Sequence, residues 1–187
     1  NLQDQFRRMM EISVRMNEQR EPEALLGFVM EEAVELNGAE RSFLVLLDAH
    51  NDLDFRISRG ISAGEMEETR ASAAEMFARL GESRQPLLRD DDHEAEAPGE
   101  PPGRWRSRMA APLIARGQMI GMLYADTRAL FGSFQRADLD LLSLFANQAA
   151  TAIDNARLYQ GLEQRVTERT AELSTSNAAL EERNAEL

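Results

Sequence analysis

Cysteine is absent from this 187-residue chain, and so is lysine, since all 21 basic residues are arginine. Without cysteine there is no disulfide, thiolate nucleophile, cysteine-ligated zinc or thioether-linked chromophore. Without lysine there is no Schiff base and no ammonium for a phosphate-binding loop. Codon preference for arginine is the plainest source of that absence. Histidine is nearly missing too, with only His50 and His93. The longest uninterrupted apolar run is Phe43 to Leu47, far short of the ~20 residues that cross a bilayer. The opening NLQDQFRRMM has no apolar h-region of a signal peptide. Positive charge is outweighed: 33 acidic residues give a net charge of −12 and a pI near 4.7, the wrong sign for a nucleic-acid surface. These absences predict a cytoplasmic chain with no nucleic-acid partner and no membrane contact. The chain starts at Asn1 and stops inside a helical repeat, as expected of a segment with neighbours on both sides.

What is present suits one globular domain with extra helix: 43% of residues are hydrophobic and 29% charged. Residues 2 to 19 carry apolar positions Leu2, Phe6, Met9, Ile12 and Met16 at helical spacing. Pro22 restarts the helix, and Leu25, Leu26, Val29, Met30, Ala33 and Val34 stripe the next one, which Asn37-Gly38 ends. The run Phe43 to Leu47 predicts a strand covered on both faces. Leu53 to Ser58 alternates as a half-buried strand and completes a hairpin. Glu65 to Leu80 reads as a helix burying Met66, Ala73, Met76, Phe77 and Leu80, and Gln85 to Leu88 as a short edge strand. Residues 90–103, DDDHEAEAPGEPPG, have nothing to bury and predict a mobile loop. Arg108 to Ala115 and Gln118 to Asp126 form a second hairpin about Arg116-Gly117, with Pro112 marking an edge, bulge or strand end. From Gln135 onward the pattern is helical.

Three stretches carry a family resemblance. They are Gly38-Ala39-Glu40-Arg41-Ser42-Phe43-Leu44 ending in Leu47-Asp48; Ala111-Pro112-Leu113-Ile114 with Gly117 and Ile120 to Asp126; and Phe134-Gln135-Arg136-Ala137-Asp138-Leu139 with Phe145 to Ala150 and Ile153 to Ala156. In that order they resemble the GAF domain, a sensor fold related to PAS domains, over about residues 23 to 158. The resemblance implies an α+β fold, a five- or six-stranded antiparallel sheet with helices on both faces. Gly121, between Ile120 and Met122, suits a strand on which a helix packs close to the backbone. Asp138 falls in the first turn of the closing helix, and Phe134 can staple that turn. The family's cyclic-nucleotide-binding branch carries an Asn-Lys…Phe-x-x-x-Asp-Glu motif, of which only Phe134 and Asp138 are matched. The bilin-binding branch needs a cysteine, and the haem-binding branch an axial histidine for which only His50 and His93 are available. The ligand class stays open.

The resemblance also implies a pocket between the sheet and the helix at 65–80. Its candidate lining is Arg59, Met76, Phe77, Trp105, Arg108, Tyr124 and Asp126, where polar groups converge on apolar ones. A closed core built from Met76, Phe77 and Tyr124 accounts equally well for those three. His93 among Asp90, Asp91, Asp92 and Glu94 reads as a solvated charge run, with no preformed metal geometry. His50 reads as a turn residue, and the nine methionines as core filling. No nucleophile, base and orienting group fall together, so no catalysis is expected.

A single heptad register runs from Leu142 to the end. Its a positions are Leu142, Ala149, Ala156, Glu163, Thr170, Asn177 and Asn184. Its d positions are Phe145, Ala152, Tyr159, Val166, Leu173, Leu180 and Leu187. Leucine at successive d positions with asparagine at a predicts a parallel two-stranded coiled coil. The expected organisation is an incoming helix at 1–20, the sensor domain at 21–157 and a coiled coil at 158–187. A homodimer is expected through the terminal helices, with Tyr159, Val166, Leu173, Asn177 and Leu180 in the seam and pairing from about Leu142. The stretch Leu162 to Leu173 resembles the signalling helix that joins sensor domains to histidine kinase modules. That resemblance implies a bacterial sensor kinase, or a nucleotide cyclase, as the parent.

Overall fold

The computed structural model describes residues 2–90, 106–128 and 133–185. The elements run α1 (Leu2–Glu18), α2 (Pro22–Asn37), β1 (Arg41–Leu47), β2 (Leu53–Arg59), α3 (Met66–Ser83), β3 (Leu87–Asp90), β4 (Arg106–Ala115), β5 (Gln118–Arg128) and α4 (Arg136–Ala185). Five strands form one antiparallel sheet in the order β2-β1-β5-β4-β3. Phe43 to Leu46 in β1, an interior strand, are almost wholly buried, as a strand covered on both faces must be.

Strand alternation divides the core in two. Leu44, Leu46, Leu113, Leu123 and Ala125 face α1, α2 and α4. Phe43, Val45, Ala110, Met122 and Tyr124 face α3. Helix α1 contributes Met9, Ile12 and Met16 to the first core, whereas Phe6 is 66% exposed and leaves the expected stripe. Met9, Ile12 and Met16 share one face at spacings of three and four, and Phe6 lies off it. Helix α1 thus packs on the domain through that face.

Pro112 lies beyond the reach of β3, whose pairing stops at Ala110, and next to a register shift at Leu113/Ile114. Its missing N–H therefore costs no ladder bond to β3. Gly121 is needed for a different neighbour than the expected helix. A Cβ there would lie 2.1 Å from the Val45 carbonyl oxygen of β1. The closing helix starts with a side-chain cap: the Gln135 N–H donates to Asp138 Oδ2 at 2.7 Å, and Phe134 is buried beside it. The 90–103 loop lies outside the described residues, apart from Asp90.

Candidate functional site: the α3 face and the projecting helix

Arg41 opens β1 two residues before Phe43, so alternation points both toward α3. Opposite it on β5 stands Asp126, fully buried. Arg41 forks onto that carboxylate: Nε donates to Oδ1 at 2.9 Å and Nη2 to Oδ2 at 2.7 Å. The Tyr124 hydroxyl donates to the same Oδ2 at 2.8 Å. Arg108, paired with Asp126 across β4 and β5, donates through Nη1 to Ser72 Oγ of α3 at 3.2 Å. The outer edge is closed by Glu65, which accepts from Arg41 Nη1 at 3.3 Å and from the Ser62 hydroxyl at 2.6 Å.

The electrostatics follow from burial. Desolvation works against the Arg41 charge, but the bond to Asp126 and its negative charge outweigh it and raise the pKa. Burial first, then the Asp126 charge and hydrogen bond, push the Tyr124 phenol well above its ordinary 10.0. Tyr124 therefore stays a neutral donor. Beside it, Phe43 stacks on the Tyr124 ring at 4.3 Å between centroids and tilts against Phe55 at 5.3 Å.

Of the residues expected to line the site, Met76, Phe77, Arg108, Tyr124 and Asp126 are brought together on this face. Arg59 is not among them. It aligns with Ser42, whose parity faces the other core, and its guanidinium lies 3.8 Å from Glu31 of α2. Trp105 lies outside the described residues, as does His93. Arg41, Glu65 and Ser72 complete the cluster without a place in the expected lining. Parity with Phe43 points to Arg41, but nothing local marks the other two. His50 sits in the β1–β2 turn, where its N–H donates to Asp48 Oδ1. Among the described residues, no cluster of His, Asp or Glu could hold a metal, and no helix is long and apolar enough to cross a membrane. Described residues line cavities on the opposite, helical side, among them one of about 680 Å³ bounded by Phe6, Met9, Leu36, Leu141 and Leu144.

Helix α4 divides at Ala156. Before it, Leu142, Phe145, Ala149, Ala152 and Ala156 are buried in the domain's own core. This corrects the expectation of pairing from Leu142: those a and d residues already pack on β4, α2 and α1. Beyond it, every described residue is exposed, including Tyr159, Val166, Leu173 and Leu180. At ~1.5 Å per residue the helix stands about 40 Å clear of the domain.

None of the curated proteins matches this chain. Solved structures that resemble it include the GAF domain of a phosphoenolpyruvate-protein phosphotransferase from Coxiella burnetii, 16% identical with a TM-score of 0.63, covering 86% of this chain and 99% of that one. The GAF domain of a protein assigned as a sensor histidine kinase from Pseudomonas syringae pv. tomato is 18% identical, with a TM-score of 0.56, covering 87% and 97%. Free methionine-R-sulfoxide reductase from Neisseria meningitidis, solved with its substrate, is 18% identical with a TM-score of 0.58, covering 81% and 89%. At such identities these likenesses speak for the fold alone. The sequence itself matches the family described as GAF domain over residues 19–154. The chain belongs to the GAF domain family of sensory and regulatory modules.

Proposed function

We propose that this chain is a non-enzymatic cytoplasmic sensory and dimerisation module of a multidomain bacterial signalling protein, a sensor histidine kinase being the best-supported parent. Its parts are an incoming helix at 1–20, the sensor at 21–157 and a signalling coiled coil at 158–187. The carrying observation is the break in α4 at Ala156, where one helix passes from the domain core into a bare, apolar-striped rod. Tyr159, Val166, Leu173 and Leu180 have no core of their own chain to reach, and pairing with a second copy buries them. Asn177 opposite its own copy can hydrogen-bond only in a parallel, unstaggered pair. Rotation or shift of the domain then reaches the next domain through the seam.

The small-molecule site supported best is the α3 face, around Arg41, Arg108, Tyr124 and Asp126. A second reading, a ligand-free coupler, is favoured by one observation: Phe43 stacks on Tyr124, and Asp126 is already held by Arg41 and Tyr124. Native mass spectrometry separates the two, since a copurifying metabolite supports the first and a bare chain the second.

The dimer is tested by using the absence of cysteine. Val166→Cys should form an interchain disulfide under mild oxidant, because parallel d positions face their own copies. Leu173→Glu with Leu180→Glu removes two apolar rows and sets like charges across the seam. At about 2 kcal/mol or more for each row, dimerisation should weaken at least a hundredfold. A wild-type monomer in light scattering would refute the parallel pair. So would mixed dimers in which a cysteine introduced at position 166 links only to one introduced at position 180.

A further inference from the structure

The α3 face and α4 lie on opposite sides of the sheet, yet one hairpin touches both. The β4–β5 turn, Arg116-Gly117, stands at the end of the sheet with both residues at positive φ, 50° and 75°. From the α3 side, Arg84 donates through Nη1 to the Gly117 carbonyl at 2.9 Å. Toward α4, Arg116 Nε donates to Asp154 Oδ2 at 2.8 Å. Asp154 lies two residues before Ala156, the last buried position of α4. On the neighbouring side of the same helix, the Arg20 guanidinium lies 5.8 Å from the Tyr159 ring centre.

Both arginines are held in backbone conformations that disfavour them. Arg84 closes α3 at φ 53°, where glycine is the usual residue, and Arg116 takes a turn position where asparagine is favoured. A non-glycine residue there costs roughly 1 kcal/mol, and such strain tends to persist where the side chain is used. Among the described residues only Asn51 is otherwise a non-glycine at positive φ, and asparagine tolerates it.

We propose that Arg84 and Arg116 are positioning residues of a relay in which the end of α3 sets the β4–β5 turn, and the turn sets α4 where it leaves the domain. This rests on the reading of α4 as the output helix, and it supplies the regulation of that helix. A change at the α3 face tilts α3, moves the Gly117 carbonyl through Arg84, and shifts the Arg116–Asp154 contact. The route uses backbone turn and exposed ion pair, so its effect is on local opening of the helix exit rather than on global stability.

The test compares Arg84→Gly, Arg116→Asn and the double variant in the full chain by amide hydrogen exchange over residues 155–162, beside thermal melting. Each single variant relieves the left-handed strain, so Tm should hold or rise. Exchange at 155–162 should nevertheless quicken about two- to fivefold, the scale of losing one surface ion pair in Arg116→Asn or one exposed hydrogen bond in Arg84→Gly. The double variant should show no more than the larger single effect, because both lie on one route. Arg79→Gln, which breaks only the Glu75 pair on α3, should leave 155–162 unchanged. Unchanged exchange in Arg84→Gly, or effects of the two variants that sum, would overturn the relay. Because Tyr159 lies in the proposed seam, all variants are compared at one protein concentration with the oligomeric state read by light scattering; a monomeric wild type would sink the dimer reading, and the relay would then be read in the monomer.

Discussion

Replacing Asp126 by asparagine removes one charge and almost no volume from the middle of the domain. The carboxylate is fully buried and the Arg41 side chain is 12% exposed, with fork contacts of 2.7 and 2.9 Å. Once the carboxylate is neutral, the carboxylate left on the guanidinium among the described residues is Glu65, a half-exposed partner at 3.3 Å. Breaking a buried pair by removing one partner costs about 3–5 kcal/mol, because the other charge stays desolvated. Against a total stability of roughly 5–15 kcal/mol, that is a large share. At ~2–4 °C per kcal/mol for a chain of this size, melting should fall by about 6–20 °C. Urea unfolding followed by far-ultraviolet circular dichroism reads the same loss as a lower midpoint at unchanged slope. Adding Arg41→Met removes the stranded charge, while the amide that replaces the carboxylate can still accept from Tyr124. The double variant should therefore recover about 2 kcal/mol relative to Asp126→Asn. If Asp126→Asn cost less than about 1 kcal/mol, or the second substitution deepened the loss, the pair would not be the buried fork inferred here.

The same face and its neighbouring strand set two further outcomes. Because the folded pKa of Tyr124 is raised above its unfolded value near 10, its contribution should be intact below pH 10. It should decline above pH 10, by up to about 1.4 kcal/mol per pH unit as the unfolded state ionises first; urea titrations from pH 8 to 11 check this, and Tyr124→Phe should flatten the decline. Gly121→Ala should cost about 3 kcal/mol or more, since its Cβ meets the Val45 backbone at 2.1 Å; Gly161→Ala, with nothing within 4 Å, should raise helix content in circular dichroism instead.

Much of this architecture can be read from periodicity. The doubly apolar Phe43 to Leu47, the paired hairpins and the capped start at Asp138 are local signals, and local signals survive folding. The α3 face is harder. Asp126, Tyr124 and Arg108 share a parity with the buried strand residues, and that parity is visible in sequence. Arg59 ends a strand that carries a register shift opposite Leu44/Val45, so counting along β2 alone gives no warning that it faces α2. Glu65 and Ser72 reach the cluster only through the way α3 crosses the sheet. The heptad register fails for a related reason: it scores spacing but not ownership. Leu142, Phe145 and Ala149 satisfy it as well as Val166 and Leu173 do, although a sheet from the same chain already covers them.

The proposed seam of the projecting helix is weak when judged alone. Its a positions past Ala156 are Glu163, Thr170, Asn177 and Asn184, so one apolar row carries it, and polar a residues trade stability for register. The domain offers a second patch. Phe6, Met10 and Val14 follow one another at helical spacing on the exposed side of α1, and Leu144 is exposed on α4, where Phe6 and Leu144 flank the same groove. Helix α1 runs parallel to α4, with Phe6 near Leu144, Ser13 bonded to Gln148 and Arg20 near Tyr159. The exposed α1 patch and the projecting rod thus lie along helices that run in one direction. If the proposed parallel dimer buries both, each raises the effective concentration of the other, so neither needs to be strong. An antiparallel pair would bury the rod and leave Phe6, Met10 and Val14 in water. A weak rod tied to a docked patch can also change register without the chains parting, which a uniformly leucine-rich coil would resist.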